Sequence, residues 1–158
     1  LLLILFVSEK LTYADNENLT LEIDNPRFTE KGLEEKTYEI KAKKGLQSND
    51  HLELVEVEGK FKTEDGIWIF LTAGYGKFFR PDKIIKLSDD VLFYTDKDES
   101  IKSDFAIFEI DNGTLRFENN VEYKQNKNTV FSDRSIISDD FNHILYEGNV
   151  ITKFDTKN

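Results

Sequence analysis

The stretch Ile85–Val91 (IKLSDDV) sets a pattern that the chain uses three times. Its first and third residues are apolar, its fifth and sixth residues favour turns, and its seventh residue is valine. Further copies are Leu115–Val121 (LRFENNV) and Ile144–Val150 (ILYEGNV), so the copies begin 30 and 29 residues apart. Each copy predicts a strand, a tight turn and a second strand. A fixed period of this length predicts a repeat architecture in which each unit packs against the next.

A second series of residues follows the same period. Hydroxyl side chains occur at Thr72, Ser103 and Ser132, with spacings of 31 and 29 residues. Ala42 precedes Ala73 by 31 residues and extends the series toward the N-terminus. Two interleaved series with one period indicate a stack of antiparallel strand pairs, each of which contributes a strip to an extended apolar interior.

The rest of the chain is also typical of strands. Leu19–Ile23 and Tyr38–Ala42 alternate apolar and polar residues, as half-buried strands do. Asp65-Gly66 predicts a hairpin turn, and the apolar run Ile67–Leu71 predicts a central strand covered on both faces. Such segments recur every 8–12 residues without a clean helical stripe between them. We therefore predict an all-β fold, either a sandwich, a barrel or an open antiparallel β-roll built from repeats.

Composition excludes several classes of function. The chain has 158 residues, enough for one domain with a substantial core. Its formal charge of −10 argues against nucleic acid as a partner, because phosphate binding requires a basic surface. It contains no cysteine, which excludes disulfides, thiolate metal sites and a cysteine nucleophile.

The first residues, Leu1–Val7, are all apolar and precede a polar stretch. A membrane span needs about 20 apolar residues, and the chain contains no Met. We interpret residues 1–8 as the remnant of a transmembrane anchor, residues 9–18 as a linker and residues 19–158 as one domain. A truncated signal peptide with cleavage near Tyr13–Asp15, or an ordinary buried strand or helix, are the alternatives.

The sequence offers little for catalysis. His51 and His143 have no triad-like neighbours, and the acidic residues mostly alternate with apolar ones, which predicts that they face solvent. We therefore expect no enzyme activity, no catalytic residues, no metal site and no cofactor. A carbohydrate-active β-sandwich enzyme stays an alternative, and it would need two carboxylates facing each other across a cleft.

The aromatic content favours an interior that holds something apolar. Phenylalanine occurs 13 times, against six tyrosines and one tryptophan. A roll too wide for its own side chains to fill would accept acyl chains, although a closed core is the plainer interpretation. The residues that we predict to point into this interior and to contact lipid lie at alternating positions: Tyr38, Ile40, Leu54, Phe70, Phe93, Phe105 and Phe117.

Five short motifs together resemble the LptC family of lipopolysaccharide export proteins. They follow the family's order over roughly residues 19–154: Asn25–Phe28 (NPRF), Tyr38–Ala42 (YEIKA), Leu71–Gly76 (LTAGYG), Leu87–Val91 (LSDDV) and Tyr146–Val150 (YEGNV). The resemblance implies a periplasmic antiparallel β-jellyroll behind a single N-terminal membrane helix in the bacterial inner membrane. It also implies a non-enzymatic role in outer-membrane biogenesis.

The resemblance further implies a function and its partners. The domain would accept lipopolysaccharide from an inner-membrane ABC transporter of the LptF/LptG type and pass it to an LptA-like bridge protein. Family members join edge to edge by β-augmentation. The implied transporter-side edge contains Leu19, Leu21 and Ile23, together with the membrane helix, and the implied bridge-side edge contains Val150, Thr152 and Phe154. A soluble LptA-like periplasmic bridge is the nearest alternative.

Overall fold

The computed structural model describes residues 8–11, 21–31, 36–138 and 142–155. These residues form twelve β-strands. The strands are β1 (Ser8–Leu11), β2 (Leu21–Asp24), β3 (Arg27–Lys31), β4 (Thr37–Gln47), β5 (Leu52–Lys62), β6 (Trp68–Phe79), β7 (Ile84–Thr95), β8 (Glu99–Glu109), β9 (Thr114–Gln125), β10 (Asn128–Ser138), β11 (His143–Glu147) and β12 (Ile151–Phe154).

All twelve strands belong to one open antiparallel sheet, so the prediction of an all-β fold is confirmed. Strands β4 to β10 pair in sequence order through short hairpins. At the beginning, β2 and β3 both pair with β4, and at the end β11 and β12 both pair with β10. The described part of the chain has no helix long and apolar enough to cross a membrane.

The predicted hairpin at Ile85–Val91 is wrong. The stretch lies inside the single continuous strand β7, and Asp89 and Asp90 have φ values of 62° and 54°. These left-handed residues bend the strand without reversing it. Asn119 and Asn120 do the same in β9, and the third copy bends between β11 and β12. Reversals occur elsewhere, including the predicted turn at Asp65-Gly66, where Gly66 N–H donates to Thr63 O at 3.0 Å.

These bends line up across the sheet, and we call the line the corner row. Short polar side chains predominate there because Asn, Asp and Gly enter the left-handed region at low cost. Every residue of the row from the Asn25 bend to the Asn149 bend is exposed. In strand order the corner row consists of Asn25, Lys43, Glu56, Gly74, Asp89-Asp90, Asp104, Asn119-Asn120, Asp133 and Gly148-Asn149.

Hydrogen bonds repeat along the corner row. Asn120 donates to Asp104 at 2.7 Å, and Asn149 donates to Asp133 at 2.8 Å. The hydroxyl of Ser103 spans its bend by donating to Phe105 O, and Ser132 does likewise to Arg134 O. The repeat therefore exists in three dimensions. Register makes Ala73, rather than Thr72, the member equivalent to the two serines, since each of these three pairs with a buried valine.

The corner row divides the sheet into two layers that face each other. Rings from strands that are not neighbours meet between them, as with Tyr38 and Phe108, whose centroids lie 4.9 Å apart. Layer 1 comprises residues 27–31, 37–42, 57–62, 68–73, 91–95, 99–103, 121–125, 128–132 and 151–154. Layer 2 comprises residues 8–11, 21–24, 44–47, 52–55, 75–79, 84–88, 105–109, 114–118, 134–138 and 143–147.

The bends also change which residues point inward. In β8, Ile101 is buried before the bend, but Ala106 and Phe108 are buried after it, so the alternation shifts by one residue. Phe105 consequently faces outward and is 48% exposed, which contradicts its predicted place in the interior. The same shift occurs in β5. Leu52 and Leu54 are buried before the bend and Val57 is buried after it, whereas Val55 faces outward.

Phe70 is the second residue wrongly predicted to point inward. The buried residues of its run are Ile69 and Leu71, and Phe70 lies on the outer face of layer 1 between Trp68 and Tyr94. Alternation could not choose a face there because Ile67–Leu71 is apolar at every position. Trp68 is 37% exposed, so the outer face of this strand is not covered as predicted.

The N-terminal predictions need correction where the structure describes them. Residues 9–11 of the predicted linker belong to β1, which pairs antiparallel with Leu21–Asp24. Leu21 and Ile23 are therefore not on an unpaired sheet edge. In addition, Ile23 is buried. Leu1–Val7, residues 12–18 and Leu19 lie outside the described residues.

Candidate functional site

A cavity of about 500 Å³ lies between the two layers near the C-terminal end of the sheet. Apolar side chains from both layers line it, together with polar and charged side chains at the hairpin ends opposite the corner row, among them Asp65, Lys97 and Glu99. Cavities of about 300–1,000 Å³ with such walls are typical of small-molecule sites. The apolar residues of the wall are Ile67, Ile69, Phe93 and Ile101 from layer 1 and its adjoining turn, and Leu115, Ile137 and Ile144 from layer 2.

The N-terminal part of the interior is filled by side chains. Phe28 stacks on Phe78 with a centroid distance of 4.8 Å. Phe108 lies between Tyr38 and Phe61 at 4.9 and 5.7 Å. These contacts join the layers directly, so the cavity ends where the aromatic cluster begins.

Two tyrosines face each other across the opposite end of the cavity. Tyr123 of layer 1 and Tyr146 of layer 2 have ring centroids 5.9 Å apart. Burial, together with the charge of Glu99 and a hydrogen bond to it, raises the pKa of Tyr123 to about 12. Burial and the neighbouring Tyr123 also raise the pKa of Tyr146. Both phenols are therefore neutral at physiological pH. The single O–H donor of Tyr123 is used by Glu99, so Tyr146 is the phenol of the pair that can donate to a polar group on a guest.

The structure brings together only part of the predicted interior set. Tyr38, Ile40 and Leu54 point inward but belong to the filled end of the interior. Phe93 lines the cavity, and Phe117 packs edge-on against it at 5.1 Å. The two outward residues, Phe70 and Phe105, have no part in the cavity wall.

Sequence reasoning missed most of the residues that line the cavity, although the repeat contained a signal for them. Leu115 and Ile144 are the first residues of the second and third copies, and Tyr146 is the third residue of its copy. The matching residues of the first copy, Ile85 and Leu87, are buried in the core. Position within the repeat therefore predicts direction better than alternation counted along one strand.

The sheet ends beside the cavity at an uncovered edge. Within the described residues, β12 pairs with β10 alone. Its side chains include Ile151, 57% exposed, and Phe154, 68% exposed, and Val150 just before the strand is also exposed. A strand that is paired on one side only and exposes apolar side chains is a template for another strand. Of the residues predicted for the bridge-side edge, Thr152 and Phe154 belong to β12 and Val150 directly precedes it.

Most acidic residues in the described part of the chain lie on outer faces, and several of them form ion pairs. Arg27 contacts Glu39 at 2.8 Å, and Lys77 contacts Glu53 at 3.1 Å. Glu30 is an exception, since it is buried and burial raises the pKa of its carboxyl group. Asp65 and Glu99 are also exceptions, since they line the cavity. Among the described residues, no group of three or more His, Cys, Asp or Glu side chains could hold a metal ion.

No protein-family model matches the chain, and no curated protein matches it.

Proposed function

We propose that this chain is a lipopolysaccharide-binding and transfer module of the LptC kind, a non-enzymatic β-jellyroll that holds acyl chains between its layers. The observation that carries the proposal is the cavity of about 500 Å³, which combines aliphatic and aromatic walls with a phenol pair at one end. Apolar walls favour acyl chains because burial is worth about 0.8 kcal/mol for each methylene group. Tyr146 provides a donor for the polar part of the lipid.

The second support is that the cavity lies beside the uncovered edge. Tyr146, at the end of the cavity, is only five residues from Ile151, which begins the edge strand. A guest passing between Tyr123 and Tyr146 would leave along β12. An LptA-like bridge protein that adds a strand there would extend the two layers beyond this chain. The transporter of the LptF/LptG type would act at the opposite end of the sheet, with the chain tethered in the inner membrane and the sheet in the periplasm.

Photocrosslinking at two phenylalanines tests the location of the lipid. Benzoylphenylalanine at Phe93, on the cavity wall, is expected to form an adduct with lipopolysaccharide. The same residue at Phe105, which is 48% exposed on the outer face of layer 2, is expected to form none. Adducts are measured by a mobility shift with an antibody to the lipid. Equal labelling at both positions, or labelling at Phe105 alone, would show that the lipid binds outside the layers.

Introducing positive charges on the edge strand tests the docking of the bridge protein. The double change Ile151→Lys and Phe154→Lys is expected to weaken binding of an LptA-like protein at least about tenfold, because the edge loses its apolar surface. The free energy of unfolding should change by less than about 0.5 kcal/mol, since both side chains are exposed. Binding is measured by surface plasmon resonance.

Phe105→Lys is the matched control for the edge variant, because it places a charge on an exposed apolar residue far from β12. It should leave binding of the bridge protein unchanged. Undiminished binding by the double variant would contradict docking at this edge.

A further inference from the structure

Three aromatic side chains form a patch on the outer face of layer 1, and we call them the aromatic trio. Trp68 and Tyr94 are 37% and 39% exposed, and Phe70 lies half-buried between them. The Phe70 and Tyr94 rings stack at 5.2 Å, and the Trp68 and Phe70 rings at 6.4 Å. Trp68 is the only tryptophan of the chain. Exposed aromatic patches of this kind mark contact sites.

A groove of about 290 Å³ adjoins the trio and runs across strands β3 to β7. Phe70, Tyr94 and Thr72 line one part of it. Charged side chains line the rest in ion pairs, with Arg27 at 2.8 Å and Lys60 at 3.7 Å from Glu39. Donors and acceptors therefore alternate along the groove within a few ångströms of an aromatic surface.

The charges of the groove contrast with those of the whole chain. Arg27, Lys41 and Lys60 face two carboxylates, Glu39 and Glu58, so the groove carries one excess positive charge in a chain of formal charge −10. Two lysines also lie near the trio: the ammonium groups of Lys60 and Lys62 are 5.8 and 5.5 Å from the centroid of the Trp68 ring. The surface therefore complements a ligand that has an apolar face, several hydroxyl groups and a negative charge.

We propose that this groove binds a saccharide that carries an acidic group. The C–H face of a sugar ring packs against aromatic side chains, which bury large apolar areas while leaving their polar tips free. Vicinal hydroxyls both donate and accept, so they match paired ammonium, guanidinium and carboxylate groups. The groove has one cationic side chain more than it has carboxylates, and this excess positive charge attracts the acidic group of the sugar. This site is on the outer face, and of the residues that line it only Tyr94 also borders the cavity between the layers.

The surroundings of the trio argue against an anionic membrane as the occupant. The hairpin before Trp68 carries Glu64 and Asp65, and the hairpin after Tyr94 carries Asp96 and Asp98. Both hairpins adjoin the trio, so an anionic bilayer that covered it would come close to their carboxylates and be repelled. None of these four acidic residues lines the groove, so a small acidic sugar bound there does not contact them.

The single tryptophan provides the test. Trp68 fluorescence is titrated with a tetrasaccharide that alternates glucuronic acid and N-acetylglucosamine, and with the neutral tetrasaccharide of N-acetylglucosamine. The acidic sugar is expected to give a saturable change at a Kd about fivefold lower than that of the neutral sugar. Tyr94→Ser and Lys60→Gln should each weaken binding of the acidic sugar about fivefold.

Lys102→Gln is the matched control for Lys60→Gln, because Lys102 is an exposed lysine on β8, outside the groove. It should bind the acidic sugar as the unchanged chain does. No saturable change with either sugar, or equal affinity for both, overturns the proposal. A response to vesicles of anionic phospholipid without a response to sugars also overturns it, in favour of a membrane contact. Because the sugars contain no lipid, failure here leaves the proposed lipid site untouched.

Discussion

Replacing Phe108 by alanine is expected to lower the free energy of unfolding by about 3–5 kcal/mol. Its fully buried ring touches Tyr38 and Phe61 of the facing layer, with centroids 4.9 and 5.7 Å away. Truncation removes this contact between the layers and leaves a cavity that the two rigid sheets cannot close. The loss is measured by equilibrium unfolding in urea.

Phe105→Ala is the control, three residues away on the same strand. Its side chain faces outward, so the free energy of unfolding should change by less than about 1 kcal/mol. Regular alternation predicts the opposite order, since it places Phe105 inside. Comparable losses in the two variants would contradict the shift in alternation at Asp104.

Filling the cavity is expected to have the second large effect. In Ile144→Trp, the larger side chain would occupy space between the layers, and capture of lipopolysaccharide should fall at least about tenfold. Because Ile144 borders a cavity of about 500 Å³, the indole fits without the strain that overpacking causes in a filled core. The free energy of unfolding should therefore change by less than about 1 kcal/mol.

The neighbouring residue provides the control for this variant. Leu145→Trp places the same indole on the outer side of β11, where Leu145 is 53% exposed. Its lipid capture should equal that of the unchanged chain in a gel-filtration assay with labelled lipopolysaccharide. If Ile144→Trp retained full capture, the lipid would have to bind outside the cavity. Equal losses in both variants would point to the edge formed by β11 and β12.

The sequence identified most of the strands, though not β1, and it identified the repeat, but it did not distinguish a bend from a hairpin. Asp89-Asp90 and Asn119-Asn120 have the side chains that a two-residue turn requires, and they adopt the left-handed conformation that such a turn uses. Whether the chain reverses depends on where the next half-strand finds its partner. In β7 that half pairs with the same two neighbours as the first half, which is a non-local property.

The candidate site was harder to predict than the fold. Alternation placed Tyr38, Ile40, Leu54, Phe93 and Phe117 correctly inside, and failed at Phe105 because one bend residue changes the phase of β8. No pattern in the sequence gives the distance between two facing layers. That distance decides whether inward side chains fill the space, as they do around Phe108, or leave a cavity, as they do beside Phe93.

The corner row has a consequence for how such a chain can change in length. Each unit of about 30 residues brings its own bend and its own small inward residue, and in two units that residue, Ser103 or Ser132, also bonds across the bend. Duplication or loss of a complete unit would therefore lengthen or shorten the trough between the layers without altering its cross-section. A single inserted residue would instead move the inward side chains of half a strand to the outer face and the outward ones to the interior. The length of the interior is thus a modular quantity, counted in whole units.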